Sequence, residues 1–564
     1  MFLDIYRRAG AIFLSLSLIF LAGCSSANGE KANGEATEDS AYETPETVLP
    51  VSDGMFGIGY VSSEGINPFT VSGSTNQSLG GLIYNSLFVV DETFGASPGL
   101  CEDYRADGTF TEYKLKIKSG VKFSDGTDLT LSDVIYSLSS AKNSVVYGER
   151  LSIIEELSEA LDSEGQAIAN TLVVTLNEAH SDLPVLLNTP VIKHGSAEQP
   201  APVGTGPYKF SDTDISPRLI KNEYYWGDNV PADEIYLIET EDTAQAFADG
   251  IIDLVNIDFT SSGLSLEGDK DIRDYNTSVM EYIGFNMHTM KDARVRNAIS
   301  YAIDREDIIQ TCLNSSCTPS VLPLHPSSEY YDADLTQNYV YNMDMAAQLL
   351  DRGRNKDRET ESDSTDAEYE QISESPGTSD EGSAGDSGEE RPVFNMETYE
   401  KGGEQEVWLQ LDLLVCSDST ARCESAQMIA DNLKRLGIEV TVVGKTYSEY
   451  VDALESGSFD LYYGQVKLKS DFDLSQLITH SGSLNYGNVS DDKYADLISE
   501  FLSMGGDKKK VAADAMCKYI LNNNPIAVIG FKKMSVVTRQ GIVTGMNSHQ
   551  DNIFANITEW LIEV

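Results

Sequence analysis

Between residues 407 and 466 the chain repeats one rhythm. Residues 407 to 415 form a β-rich run, 421 to 436 an amphipathic helix stopped by Gly437, and 438 to 443 a second β-rich run; 448 to 455 form another helix and 459 to 466 a third strand. Strands joined through helices of this length pair in parallel, with right-handed crossovers. The result is an open α/β sheet, and such sheets receive ligands beyond the carboxyl ends of their strands. The earlier part of the chain reads differently, as strands with a few helices. Residues 110 to 117 alternate in polarity as a strand does, and Asp125-Gly126 then makes a turn. Thr130, with Asp133 three residues on, predicts a capping box opening a helix that carries Val134, Ile135 and Leu138.

The chain has 564 residues, enough for about three or four compact units. Its 90 acids against 40 bases give a formal charge of -50, which repels phosphate backbones and acidic membrane surfaces alike and excludes a nucleic-acid partner. Two stretches lack the apolar side chains needed to offset the entropy of ordering. One is a tether over residues 25 to 50. The other is an acidic insertion over 353 to 405, with twelve acids and no Lys or Arg between Glu359 and Glu390.

At the amino end, Arg7 and Arg8 precede an apolar run from Ala9 to Ala22, too short for a bilayer span and arranged as a secretory signal. It ends Leu21-Ala22-Gly23-Cys24, which resembles the lipobox of bacterial lipoproteins and implies a lipidated Cys24. Residues 1 to 23 are then a signal peptide, and the folded part stands outside the cytoplasm. Six further cysteines remain in a compartment that permits disulfides. Cys312 with Cys317, and Cys416 with Cys423, bracket short loops and are the possible local disulfides. Cys101 and Cys517 are left over, and the spacing fixes no pairing. The histidines are scattered, so no metal site and no cofactor is expected. Gly385-Asp386-Ser387-Gly388 resembles a protease nucleophile region but sits in the acidic insertion, without the strands, His and Asp such a serine needs. With no other nucleophile or metal cluster visible, the chain reads as a non-enzyme.

Several motifs occur in a fixed order. Tyr84-Asn85-Ser86-Leu87, Pro98-Gly99-Leu100 and the run from Lys118 to Thr127 with Leu131-Ser132-Asp133-Val134 come first. Gly204-Thr205-Gly206-Pro207-Tyr208, Tyr224-Tyr225-Trp226-Gly227, and the stretch from Ala293 to Arg305 follow. Together they resemble the family 5 extracellular solute-binding proteins, the oligopeptide, dipeptide and nickel type receptors of ABC importers. The resemblance covers about residues 55 to 350 and, more loosely, 405 to 564. It implies an α/β fold of two lobes like the periplasmic binding proteins, in the large variant with an extra subdomain and a hinge between lobes. Lobe I would hold 51 to 278 plus 533 to 564, with the subdomain near 91 to 203. Lobe II would hold 279 to 532, interrupted by the insertion.

The same resemblance implies a lipid-anchored monomer on the outer face of the bacterial cytoplasmic membrane. It would capture a small solute, a peptide first of all, and deliver it to ABC permease subunits with cytoplasmic ATPases. A sugar, an anion or a metal complex on the same fold is the alternative, as is a surface signalling or adhesion lipoprotein without transport. Peptide-binding members pair backbone with an extended ligand from both lobes, a form of β-augmentation. Here Ile66-Asn67-Pro68 resembles the family's L-x-P, which makes Ser72, Gly73 and Ser74 the matching loop, with Asn76 and Tyr84 nearby. The opposing segment is Gly464, Gln465, Val466 and Lys467, where the rule of strand ends also points. Asn286, near the first crossover, is a further candidate for the cleft. The family's A-D-Y-x-x-P stretch, whose carboxylate meets the ligand amine, is replaced by Lys467-Leu468-Lys469-Ser470-Asp471-Phe472-Asp473. Without a gap Lys469 falls on the carboxylate; with a two-residue gap Asp471 does. Lys467 or Lys469 would instead suit an anionic ligand.

Overall fold

The structure, a computed structural model, describes residues 55–211, 216–260, 269–356 and 394–563. The signal-like segment, Cys24, the tether and residues 357–393 of the acidic stretch lie outside the described residues.

The described chain opens with β1 (Gly57–Tyr60) and α1 (Ser74–Ile83), then a hairpin of β2 (Phe88–Val90) and β3 (Ala96–Pro98). β4 (Cys101–Ala106), β5 (Glu112–Ile117), β6 (Ile154–Leu161) and β7 (Ala167–Leu176) make a separate antiparallel sheet in the order β4-β5-β7-β6. α2 (Leu131–Lys142) packs on it through Val134 and Leu138. It begins at the expected capping box, in which the Thr130 amide donates to the Asp133 carboxylate at 2.8 Å.

β8 (Tyr208–Ser211), β9 (Arg218–Lys221), β10 (Glu234–Glu239) and β11 (Leu254–Ile257) gather beside β1. β12 (Lys270–Phe285) then leads to α3 (Ala293–Tyr301) and the short β13 (Cys317–Pro319). The repeating unit follows as β14 (Leu409–Cys416), α4 (Thr420–Lys434), β15 (Ile438–Lys445), α5 (Tyr447–Ser456) and β16 (Leu461–Lys467). β14 runs parallel to both β15 and β16, as the rhythm requires. Its two faces are both covered, Leu411, Leu413 and Val415 against α4 and Leu414 against α5, which is why it reads as a nearly continuous apolar run. α6 (Lys493–Ser503) and α7 (Asp507–Asn523) precede the last long strand, β17 (Ile526–Arg539).

One path of hydrogen bonds joins the strands of the largest sheet, in the order β15-β14-β16-β12-β17-β11-β1-β10-β9-β8, with β13 also on β17. β12 and β17 run antiparallel through its middle. Their register breaks between Asn276 and Met280, where Asn276 faces Lys533 and Met280 faces Phe531. On one side of the break lies the core around Ile58, Leu82 and Tyr208, and on the other the two cores that sandwich β14 and β16. The molecule is a two-lobed, mixed α/β protein, and the break lies between these cores.

The structure corrects two expectations. Cys312, Cys317, Cys416 and Cys423 are free thiols, as are Cys101 and Cys517. Cys312 turns its sulfur to Met428 at 3.1 Å, and Cys423 reaches back only to the Cys416 carbonyl at 3.8 Å. The borders of the acidic stretch are also narrower than composition indicates. Phe394 is buried, residues 396 to 400 are helical, and the helix Met343–Lys356 enters the stretch from the other side.

The motif Gly204-Thr205-Gly206 has a steric origin. A Cβ on Gly206 would lie 2.4 Å from the Ile83 carbonyl carbon, and one on Gly204 2.1 Å from the Ile83 oxygen, so the turn packs against the end of α1 through bare backbone. Gly206→Ala is expected to lower unfolding free energy by about 1 to 3 kcal/mol in urea titrations. Gly108→Ala, whose Cβ would meet nothing within 4 Å, should leave the midpoint unchanged.

Candidate functional site

The site is built around β16. All of its residues pair with β12, but only Leu461 and Tyr462 also pair with β14. Past Tyr462 the two parallel strands part, and the other edge of Gly464, Gln465, Val466 and Lys467 has no β partner among the described residues. An unpaired edge at the carboxyl end of parallel strands is a template for another extended chain. Gly464 is bare because the Tyr282 ring lies across it, where a Cβ would come within 2.4 Å. Gln465 is half-buried, and its Oε1 has no hydrogen-bond partner.

On the other lobe, Ser72, Gly73 and Ser74 form the start of α1, with Gly73 at the N-cap and no side chain capping the helix. Ser72 and Ser74 are exposed. The Glu64 carboxylate lies against Gly73, where a Cβ would come within 1.9 Å of Oε2. That oxygen is itself unpaired, and burial raises the carboxyl's pKa.

Four sequence candidates are held by hydrogen bonds within the chain. The Asn76 side chain accepts from the Val61 amide and donates to the Val61 and Gly65 carbonyls. The Tyr84 hydroxyl points at the Ile66 and Pro202 carbonyls. Asn286 donates to the Gly457 and Phe459 carbonyls, at the amino end of β16, because β12 runs antiparallel to it. It therefore sits at the end of the sheet opposite the open edge. Asp471, the candidate for a ligand amine, is only 2% exposed and already engaged. Its Oδ2 lies 3.0 Å from His180 Nε2, and its Oδ1 accepts the Asp473 amide. Burial opposes the charge, but the His180 hydrogen bond and charge, with Lys469 nearby, bring the pKa down to about 2. Lys469 in turn holds Asp473 at 2.9 Å and is not available to an anionic ligand.

Several groups of the site went unread in the sequence. Glu281, 1% exposed on β12, places its carboxyl 3.4 Å from Arg422 Nε. Arg422 stands in the first turn of α4, directly after β14, so this pair too lies at the carboxyl edge of the lobe's parallel strands. Lys509, 1% exposed on α7, bridges to Asp182 at 2.8 Å. Periodicity did carry a signal there, since Lys509 shares the buried face of α7 with Ala513, Met516 and Ile520. His180 lies between sequence motifs and had none. A polar cavity of about 230 Å³ opens beside it, lined by Glu178, Asp473, Ser475 and Thr479 among others. No group of three or more His, Cys, Asp or Glu placed to hold a metal occurs among the described residues. No helix among them is long and apolar enough to cross a membrane.

Comparison with known proteins agrees with this architecture. Residues 95–488 match the family model described as bacterial extracellular solute-binding proteins, family 5 Middle. The oligopeptide-binding protein AppA of Bacillus subtilis is 25% identical over 366 residues, covering 61% of this chain and 66% of AppA, so the match spans just under two thirds of that relative. Heme-binding protein A of Haemophilus influenzae is 24% identical over 392 residues, covering 61% of this chain and 68% of the relative. The structure of AppA in complex with a nonapeptide superposes with a TM-score of 0.58 at 19% identity, covering 91% of this chain and 99% of that one. NikA of Staphylococcus aureus, in complex with Ni(L-His)2, superposes at 0.60 and 16% identity, covering 91% and 100%. These likenesses establish a shared two-lobed fold.

Two measurements follow from the electrostatics. Arg422→Met leaves the Glu281 carboxylate buried and unpaired and should cost about 3 kcal/mol or more. The double variant with Glu281→Gln should recover most of it, as read by a double-mutant cycle in urea. His325, fully buried between the Phe94 and Phe531 rings, has its pKa pushed down by burial to about 4. Its unfolded form takes up a proton near pH 6.5 and its folded form only near 4, so stability falls as pH drops through that interval. Thermal melts across that interval should show a shallower fall in His325→Phe than in the wild type.

Proposed function

The chain belongs to the bacterial extracellular solute-binding proteins, family 5, and on that premise we propose that it is the lipid-anchored receptor of an ABC importer for extended peptides. The observation that carries the reading is the open edge of Gly464 to Lys467, standing at the strand ends of one lobe beside the hinge strands. A peptide backbone laid on that edge gains main-chain hydrogen bonds whatever its side chains, which gives affinity with weak sequence preference. The uncapped start of α1 at Gly73 offers free amides from the other lobe. AppA, the relative whose structure holds a nonapeptide, makes peptide the first solute to test.

Closure about β12 and β17, between Asn276–Met280 and Phe531–Lys533, brings the lobes together on the solute. We place lobe I and its subdomain before that break and again after it, with lobe II between. Cys24 anchors the receptor on the outer face of the cytoplasmic membrane, where it hands solute to the permease as a monomer.

Asp471 is occupied by His180, so the ligand amine has no carboxylate waiting at that position. N-acetylated and free-amine versions of one peptide should therefore bind within about threefold of each other by calorimetry, a difference below about 0.7 kcal/mol. A preference of a hundredfold for the free amine would restore Asp471 as its anchor. Growth on peptides as the sole source of a required amino acid should be lost in a deletion strain and restored by the wild-type gene. Cys24→Ser should abolish incorporation of labelled palmitate and release the protein from membranes.

A further inference from the structure

The lobes are tied together by contacts in which no solute takes part. The strap that follows β7 crosses to the other lobe, where the Ser181 amide donates to the Leu502 carbonyl at 2.8 Å and the Ser181 hydroxyl to the same oxygen at 3.1 Å. Lys509 Nζ meets Asp182 Oδ2 at 2.8 Å and the Ser181 hydroxyl at 2.9 Å, and the Tyr330 hydroxyl donates to Asp182 Oδ1 at 3.3 Å. His180 Nε2 holds Asp471 at 3.0 Å. The Lys509 ammonium is sealed over by the Phe501 and Tyr330 rings, 4.5 and 5.2 Å from their centroids.

A second contact stands apart from the strap. Phe94, at the tip of the β2–β3 hairpin, leaves its own lobe and joins the aromatic core of the other. Its ring centroid is 5.1 Å from that of Phe472 and 4.9 Å from that of His325, and Phe472 in turn packs on Phe531 of β17. Both Phe94 and Phe472 have positive φ, 65° and 56°, a conformation unfavourable for an aromatic residue. Such a backbone persists where its surroundings over-determine it. At Phe94 the surroundings are visible, because the Asp91 carboxylate accepts the Thr93 and Gly95 amides and presents the ring outward.

The two contacts have different physical roles. Phe94 removes apolar surface from water on closing, a gain that needs no ligand. The buried Lys509–Asp182 pair returns little net energy after desolvation, but it is satisfied in one relative placement of the lobes and so fixes the closed geometry. We propose that the strap 178–182 and the Phe94 knob form a built-in clasp that closes the lobes before solute arrives, so that clasp opening gates exchange with the cleft. Solute then binds the minor open population and is retained when the clasp shuts.

Hydrogen exchange on the full-length protein, freed of solute and checked by native mass spectrometry, tests this directly. In the wild type, peptides covering residues 178–182 and 499–503 should be protected without added solute. Phe94→Gly, which suits the hairpin's positive φ, and Lys509→Met, which keeps the stem's packing, should each speed exchange there at least tenfold. Peptides covering 113–117 and 411–415, in the core of each lobe, should stay unchanged and report an intact fold. Equal exchange at the strap in wild type and variants, whether fast or slow, overturns the clasp. The clasp rests on the two-lobed fold and not on the solute, so failure of peptide uptake with the strap still protected would remove the receptor reading alone.

Discussion

Everything in this molecule hangs on two strands that belong to both halves. β12, of 16 residues, and β17, of 14, run antiparallel through the middle of one hydrogen-bonded path. Their ladder joins the strands from β15 to β16 with those from β11 to β8. Its register shifts twice, between Asn276 and Met280 and again between Glu281 and Tyr282, and in the first, longer stretch side chains take over the pairing. Thr277 donates its hydroxyl to the Lys532 carbonyl at 2.7 Å; the Ser278 carbonyl accepts the Leu468 amide, its hydroxyl donates to the Leu468 carbonyl, and its amide donates to Gln550 Oε1. Lys532 also forms an ion pair with Asp258 across the same stretch. A stretch held by side chains is a place where two strands can bend, since side-chain bonds re-form over a range of angles where a β register does not.

Much of the fold was legible because periodicity is local. The capping box at Thr130, the α4 and α5 helices and the parallel strands β14, β15 and β16 all follow from spacing within a few turns of chain. The site was legible only in part. The open edge at Gly464 to Lys467 could be placed from the rule of strand ends, because it depends on topology alone. The framework bonds of Asn76, Tyr84 and Asn286 were not legible, because an amide or hydroxyl beside a cleft and one that fastens a loop look alike in sequence. What separates them is the backbone carbonyl each one faces, a contact between segments as far apart as Tyr84 and Pro202. The same holds for Asp471, whose partner His180 lies 291 residues away.

That long-range pairing changes the chemistry at the segment that departs from the family pattern. A carboxylate at this position is useful to a ligand amine only if its oxygens are free. Here His180 and the Asp473 amide take both, and Lys469 neutralises Asp473. The charged groups of this segment are taken up by contacts within the chain, while the neighbouring edge of Gly464 to Lys467 has no β partner among the described residues. Affinity would then come from main-chain pairing and from closure, and selectivity from whatever side chains the shut cleft admits.

The central claim is that an extended peptide lies in the cleft along β16. Native mass spectrometry of the protein as secreted by its host, followed by denaturation and sequencing of what it releases, tests it most directly. The account predicts a one-to-one adduct that falls away on denaturation and consists of peptides of varied sequence. An adduct that is a sugar or a metal complex, or protein that stays bare even after exposure to a peptide digest, would contradict it.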